Sequence, residues 1–320
     1  MVFHPLPLCQ TSLLALALPT LDWSNQYITL EAAECLAETL KSNTTTVSLN
    51  VGSNYIGGEG CEALARALEG NTSLTSLNLC SNGIDGEGAE VLSGTLMNNS
   101  ALLVLNCYQN RIHDRGGIAL ASALTVNSYL ETLNLGLNAI GILGGEAIGA
   151  ALRVNSTLRV IDLSDNQLSH SVSHIWKSLE SNHSLTLLDL SNNPMGSAEI
   201  ESMQAPLLAN TSLLTLRLNG CQLGPIGGKV LSEILEKNVS LKELRLSHNQ
   251  LGAAGCDSLT QALEVNSTLT QLDLWGNEAT PPALESVKAY MERNKNNELM
   301  RSQTLLQRLW DHFLTYSPDS

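Results

Sequence analysis

Polar and apolar residues in this chain alternate for a few positions, then recur at helical spacing, and the cycle starts again every 27 or 28 residues. The stretch Asn71 to Asn98 shows one cycle. Leu77 and Leu79 point one way while Ser76, Asn78 and Cys80 point the other, which predicts a short strand with one buried face. Asn82 turns the chain, Ile84 returns to the apolar side, and Gly86 and Gly88 permit a tight bend. Val91-Leu92 and Thr95-Leu96 then form one apolar stripe on a helix predicted from about Glu87 to Met97. Elements this short cannot bury their apolar faces alone. Stacked copies can, with the strands side by side in one parallel sheet and the helices covering its back.

The copies are marked by asparagine. Asn54, Asn82, Asn110, Asn138, Asn166, Asn193, Asn249 and Asn277 are spaced 28, 28, 28, 28, 27, 56 and 28, and Cys221 fills the site skipped by the 56. An amide at each turn can bond backbone groups the turn leaves unpaired, so stacking predicts a ladder of these side chains. The register extends backward, since Leu21, Trp23, Gln26 and Ile28 stand 28 residues before Leu49, Val51, Asn54 and Ile56. A degenerate first unit is therefore expected, with its strand at Leu21–Trp23 favoured by register over Leu16–Leu18, for about ten units in all.

The phrase L-x-x-L-x-L-x-x-N-x-[IL]-G, with this period and a full helix, resembles the ribonuclease-inhibitor-like class of leucine-rich repeats over roughly residues 10–294. The resemblance implies an α/β fold, a right-handed solenoid or horseshoe with a parallel sheet on its concave face and helices on its convex face. It specifies function poorly, because the class holds ribonuclease inhibitors, the activator of the Ran GTPase, sensor regions of NOD-like receptors and ciliary scaffolds.

The expected organisation is a solenoid over 1–294 and a capping region over 295–320. Pro281-Pro282 starts a last repeat helix, Lys295-Asn296-Asn297 reads as a link, and Leu299, Leu305, Leu306, Leu309, Trp310, Phe313 and Leu314 mark an amphipathic helix. That helix caps the open end, or Trp310 and Phe313 contact a partner. Two middle units depart from the pattern. The unit from Asn166 to Asn193 lacks the usual glycines and carries Trp176 where others have Ala65, Ser93 or Ala121, which makes Trp176 a second contact candidate on the convex side. In the next unit Pro206 should end or kink the helix.

Composition narrows the chemistry. The net charge of −14 opposes nucleic acid as a partner, since phosphate binding needs a basic stripe. The seven cysteines form no C-x-x-C pair, read as small buried thiols, and favour a reducing, cytoplasmic setting, with cytoskeletal or ciliary assembly among the roles this allows. No Lys or Arg precedes Lys41 and Thr11–Leu18 copies the phrase at Thr211–Leu218, so Leu13–Leu18 is read as repeat, against a secretory leader. No apolar run approaches a membrane span. N-x-[ST] triplets at Asn43, Asn71, Asn98, Asn155, Asn182, Asn210, Asn238 and Asn266 recur for a structural reason and are weak signals for glycosylation. His170 and His174 have metal-ligand spacing without an evident third ligand, and Gly224–Val230 lacks the spacing of a phosphate loop. No catalytic set, cofactor or metal is expected, and the chain reads as a non-enzyme.

A protein partner is expected instead, on the concave face. The column between the core strand positions runs Asn50, Asn78, Asn106, Asn134, Asp162, Asp189, Arg217, Arg245, Asp273. Its neighbour includes Tyr108 and Trp275 on an otherwise small surface. Tyr108, Asp162, Asp189, Arg217, Arg245, His248 and Trp275 are therefore the candidate partner-binding residues, because arginine and aromatic side chains dominate such contacts. The main expectation is an interaction scaffold. A small-GTPase regulator is the alternative, although the acidic tail of the Ran activator has no counterpart here. An extracellular or innate-immune recognition fragment is the third.

Overall fold

The computed structural model describes residues 18–315, with side chains placed through 303 except at 301. Ten three-residue strands, from β1 (Thr20–Asp22) to β10 (Gln271–Asp273), form one sheet in sequence order. Every pair is parallel and in repeat register, from Leu21 beside Leu49 to Leu244 beside Leu272. A helix follows each strand, beginning with α1 (Leu30–Ser42), α2 (Gly57–Leu68), α3 (Gly86–Leu96), α4 (His113–Leu124) and α5 (Ile142–Leu152). The fold is an α/β solenoid whose single core runs its whole length, between the inner face of the sheet and the helices.

The asparagine ladder forms as the spacing implies. The Asn82 amide donates to the carbonyls of Leu79 and Cys80 in its own unit at 3.1 Å, and of Val51 in the preceding unit at 2.9 Å. Asn110 Oδ1 in the next unit accepts the N–H groups of Asn82 and Ile84, both at 3.0 Å. Each such amide is buried and satisfies groups on two units at once. Asn138 departs in part, its Oδ1 lacking a partner among the described residues. At the skipped site Cys221 Sγ reaches Leu190 O at 3.3 Å, a weaker bond in the same place. The turn has a conformational cost, because the residue before each ladder position takes positive φ, as at Ser53, Gln109 and His248.

A second ladder runs along the opposite edge, where each helix returns to the next strand. The Asn155 amide donates to Leu124 O at 2.8 Å and Asn127 O at 3.1 Å, while its Oδ1 accepts from Thr157 N at 3.0 Å and Leu158 N at 2.8 Å. Asn71, Asn99, Asn127, Asn182, Asn210, Asn238 and Asn266 repeat the pattern, and all are buried. This explains the recurring triplets. Glycosylating Asn71, Asn155, Asn182, Asn210, Asn238 or Asn266 would attach a sugar to an amide already donating into the core, which the fold excludes.

Two middle units differ from the rest, the second of them as Pro206 requires. Ser169–Ser171 form a single 3₁₀ turn, followed by the short helix α6 (Val172–Ser178). The next unit has α7 (Ser197–Ser202) and α8 (Gln204–Ala209), broken at Met203 three residues before the proline. Trp176 corrects the expectation of a convex contact. Its side chain is 0% exposed, so it touches no partner. These short helices bring fewer side chains to the core, and the indole fills that interior. His170 and His174 stay on the surface, and His170 Nδ1 sits 2.7 Å from Glu199 Oε1.

The chain does not pause at 295–297. One helix, α11, runs unbroken over Pro281–Thr315 where the sequence suggested a link and a separate helix. The helices α9 (Gly224–Leu235) and α10 (Gly252–Val265) precede it. Its first half caps the stack: Arg293 donates to Leu263 O, Glu264 O and Asn266 O, and Asn294, in register with the second ladder, donates to Asn266 O and Leu269 O. With these carbonyls bonded by α11 side chains, nothing local stops the helix at Asn294. The side chains of Trp310 and Phe313 lie outside the described residues.

Candidate protein-binding face

Strand pleating sends two of the three residues of every strand to the concave face. The second of these forms the column that begins at Asp22 and ends at Asp273. In eight units it is Asn or Asp, and its Oδ1 accepts the N–H two residues on, at 2.9–3.0 Å. Much of this polar column is thus structural, since each oxygen satisfies a backbone donor where the strand ends.

Arg217 and Arg245 break the rule in adjacent units. Arginine has no acceptor, so the neighbouring column supplies one: Asn219 N bonds Ser191 Oγ at 3.2 Å, and Ser247 N bonds Asn219 Oδ1 at 2.9 Å. The two guanidiniums are placed by acids on both sides. Arg217 lies 3.6 Å from Asp189, and its Nε lies 3.8 Å from Glu243, which also pairs with Arg245. Glu243 stands between like charges and relieves a repulsion that the column alone suggested. It was legible as the residue two before Arg245 on the same strand face. Asp189 and Glu243 together balance the two arginines, so the patch sets paired cations and carboxylates side by side on a chain of net charge −14.

His248 and Trp275 extend this group. Their rings meet edge to face with centroids 4.3 Å apart, and Trp275 is 71% exposed. The imidazole lies over Gly276, where a Cβ would come within 2.6 Å of Nδ1, so glycine there makes room for the ring. Tyr108 belongs elsewhere. It sits six strands from Trp275, about 29 Å at the usual strand spacing. Its ring lies over Gly136, and burial, then the charges of Asp165 and Asp162, raise the pKa of its hydroxyl. The candidate residues therefore form two groups, Tyr108 with Asp162, and Arg217, Arg245, His248 and Trp275, with Asp189 between them.

Asp189 is the strained member. Burial raises its pKa, outweighing the Ser191 N–H it accepts, and Asp162 adds to the rise while Arg217 opposes it. A raised carboxyl pKa means that ionisation costs the folded state stability. The penalty is absent below the ordinary carboxylate range, grows as pH rises through it, and is complete at neutral pH. Asn at this position keeps the acceptor for Ser191 N, as Asn134 does for Gly136 N. Asp189→Asn is expected to raise the denaturation midpoint at pH 7 and leave it unchanged near pH 3, as paired melts at the two pH values would show.

Among the described residues no group of three His, Cys, Asp or Glu is arranged to hold a metal. No described helix is long and apolar enough to cross a membrane.

The family described as Leucine Rich repeat matches residues 42–65, 70–93, 126–149, 154–170, 181–198, 209–232 and 237–259. No curated protein sequence matches the chain. Among solved structures, actin-binding site 2 of leiomodin-1 aligns at 25% identity and a TM-score of 0.38, over 41% of this chain and 79% of its own. The tropomodulin C-terminal domain of Caenorhabditis elegans aligns at 15% identity and a TM-score of 0.39, over 57% of this chain and 96% of its own. The periodic asparagines, the sequential parallel sheet and the seven matched segments make one statement: the chain is a leucine-rich repeat protein of the ribonuclease-inhibitor-like class.

Proposed function

We propose that this protein is a non-catalytic scaffold that binds a protein partner through the concave face of its C-terminal units. The observation that carries the reading is the break in the acceptor column. At two adjacent units a side chain that satisfies the backbone is exchanged for arginine, and the lost acceptor is supplied from the next column. A purely structural column has no use for that exchange. It sets two half-exposed guanidiniums beside an exposed indole, the residue types that anchor protein contacts. The partner this patch fits presents a carboxylate to the arginines and an apolar group to Trp275.

The buried thiols of Cys61, Cys107, Cys221 and Cys256 support a reducing, cytoplasmic setting. Burial pushes the thiols of Cys107 and Cys221 up to about 12, so both stay protonated and unreactive.

The test pairs identification with a targeted variant. Partners captured from the source cell are identified by mass spectrometry, and binding is then measured by calorimetry. Arg245→Ala with Trp275→Ala is expected to weaken binding by about 1,000-fold, at the lower end of hot-spot losses for two residues, with the melting transition unchanged. Tyr108→Ala, on the distant group, should leave affinity within a factor of about three. Equal affinity of the double variant and the parent rejects this face as the binding site.

A further inference from the structure

We propose that the chain self-associates, and that the groove beside β10 is the seat of the distal half of α11 from a second copy. Among the described residues no strand pairs with the outer edge of β10, and an unpaired edge is a hazard that folds cover. Between that edge and α11 lies a groove of about 790 Å³, lined by Leu272, Leu274, Leu284, Val287 and Met291 with Trp275 at its rim. Leu284 is 46% exposed there, so the groove is open and offers apolar surface, flanked by the charged side chains of Glu278, Lys288, Glu292 and Lys295.

The same helix supplies an occupant. α11 has 35 residues, about 52 Å at the helical rise. Its bonds to the stack reach Asn294, and beyond that Glu298 forms an ion pair with Lys242 at 3.0 Å. Leu299 and Met300 are 57% and 65% exposed, and the sequence continues with Leu305, Leu306, Leu309, Trp310, Phe313 and Leu314 at helical spacing. Because the helix is continuous, this apolar stretch is carried away from its own groove.

Charge decides which partner fits. Residues 281–315 hold five Lys or Arg and four Asp or Glu on a chain of net charge −14, so this end lacks the negative field that keeps copies apart elsewhere. The charges are also two-fold related. Place two copies of α11 antiparallel about a point between Asn296 and Asn297. Glu285 of each then stands level with Arg308 of the other, and Glu292 level with Arg301. The same overlay lays residues 299–314 of one copy along 279–294 of the other, which is where the groove lies. Glu285 and Glu292 are exposed on the described surface.

The test uses the full chain in two charge-reversed forms, Glu285→Arg with Glu292→Arg, and Arg301→Glu with Arg308→Glu. Sedimentation equilibrium at low salt should find the parent dimeric and each variant alone at least about tenfold weaker in self-association. An equimolar mixture of the two variants should dimerise again, because each restores the other's charges. Leu284→Glu should also yield monomer, with circular dichroism unchanged. A parent that stays monomeric at the highest concentration reached overturns the proposal, whether the groove takes another protein or the chain's own distal half. A dimeric parent whose variant mixture stays monomeric overturns the antiparallel overlay.

Discussion

Asn249→Ala should split the unfolding of this protein into two transitions. The Asn249 amide donates to Leu218 O at 2.6 Å, Leu246 O at 2.8 Å and Ser247 O at 3.3 Å, and its Oδ1 accepts from Cys221 N at 2.9 Å and Leu223 N at 3.4 Å. The residue is 0% exposed, so water cannot replace those bonds without entering the core. Each buried group left unpaired costs about 1–3 kcal/mol, and with several affected the loss should exceed about 3 kcal/mol. In a solenoid that loss falls on one boundary, because stability is a sum of unit and nearest-neighbour terms. The units beyond Asn249 should melt first and the remainder near the parental temperature, with hydrogen exchange locating the early loss C-terminal to the mutation. A single transition within 1 °C of the parent would mean that the ladder carries no coupling. Cys221→Asn is the converse change and should strengthen its own boundary by about 1 kcal/mol, the net value of an added buried hydrogen bond.

The second large effect is expected at Trp176. Its removal leaves a cavity inside the short-helix stretch, where α6, α7 and α8 bring little other bulk. Trp176→Ala should cost about 3–5 kcal/mol, the range for large aromatic deletions in cores. Trp176→Phe should cost far less, because the indole N–H has no hydrogen-bond partner among the described residues and its loss removes an unsatisfied donor. Chemical denaturation of the two variants separates the volume effect from the polar one. Equal losses would show that shape at this site, and not cavity volume, sets the cost.

The periodic asparagines announced the sheet, the helix positions and the ladder, because each is a consequence of spacing. Pro206 likewise announced the broken helix. Trp176 was misread for a physical reason. Its size at a small-residue position signals either an exposed anchor or a filled gap, and only the lengths of the neighbouring helices decide between them. The link at 295–297 failed similarly, since Lys and Asn are compatible with a helix whose neighbours accept its bonds, and Arg293 and Asn294 supply that context.

The candidate face was legible as a list of residues and not as a site. Strand register placed Arg217 beside Arg245 and Asp162 beside Asp189. It did not show that the Asn and Asp members bond their own backbone, nor that Glu243 reaches both arginines.

The chain itself determines the number of units, the direction of every strand and the two rows of amides, because a repeat of fixed length leaves one way to stack. Which polar side chains are consumed by backbone bonds, which stay available to a partner, and whether a large ring is core or surface were decided by tertiary packing. These depend on distances between neighbouring units, and a one-dimensional pattern records residue type and order without recording distance.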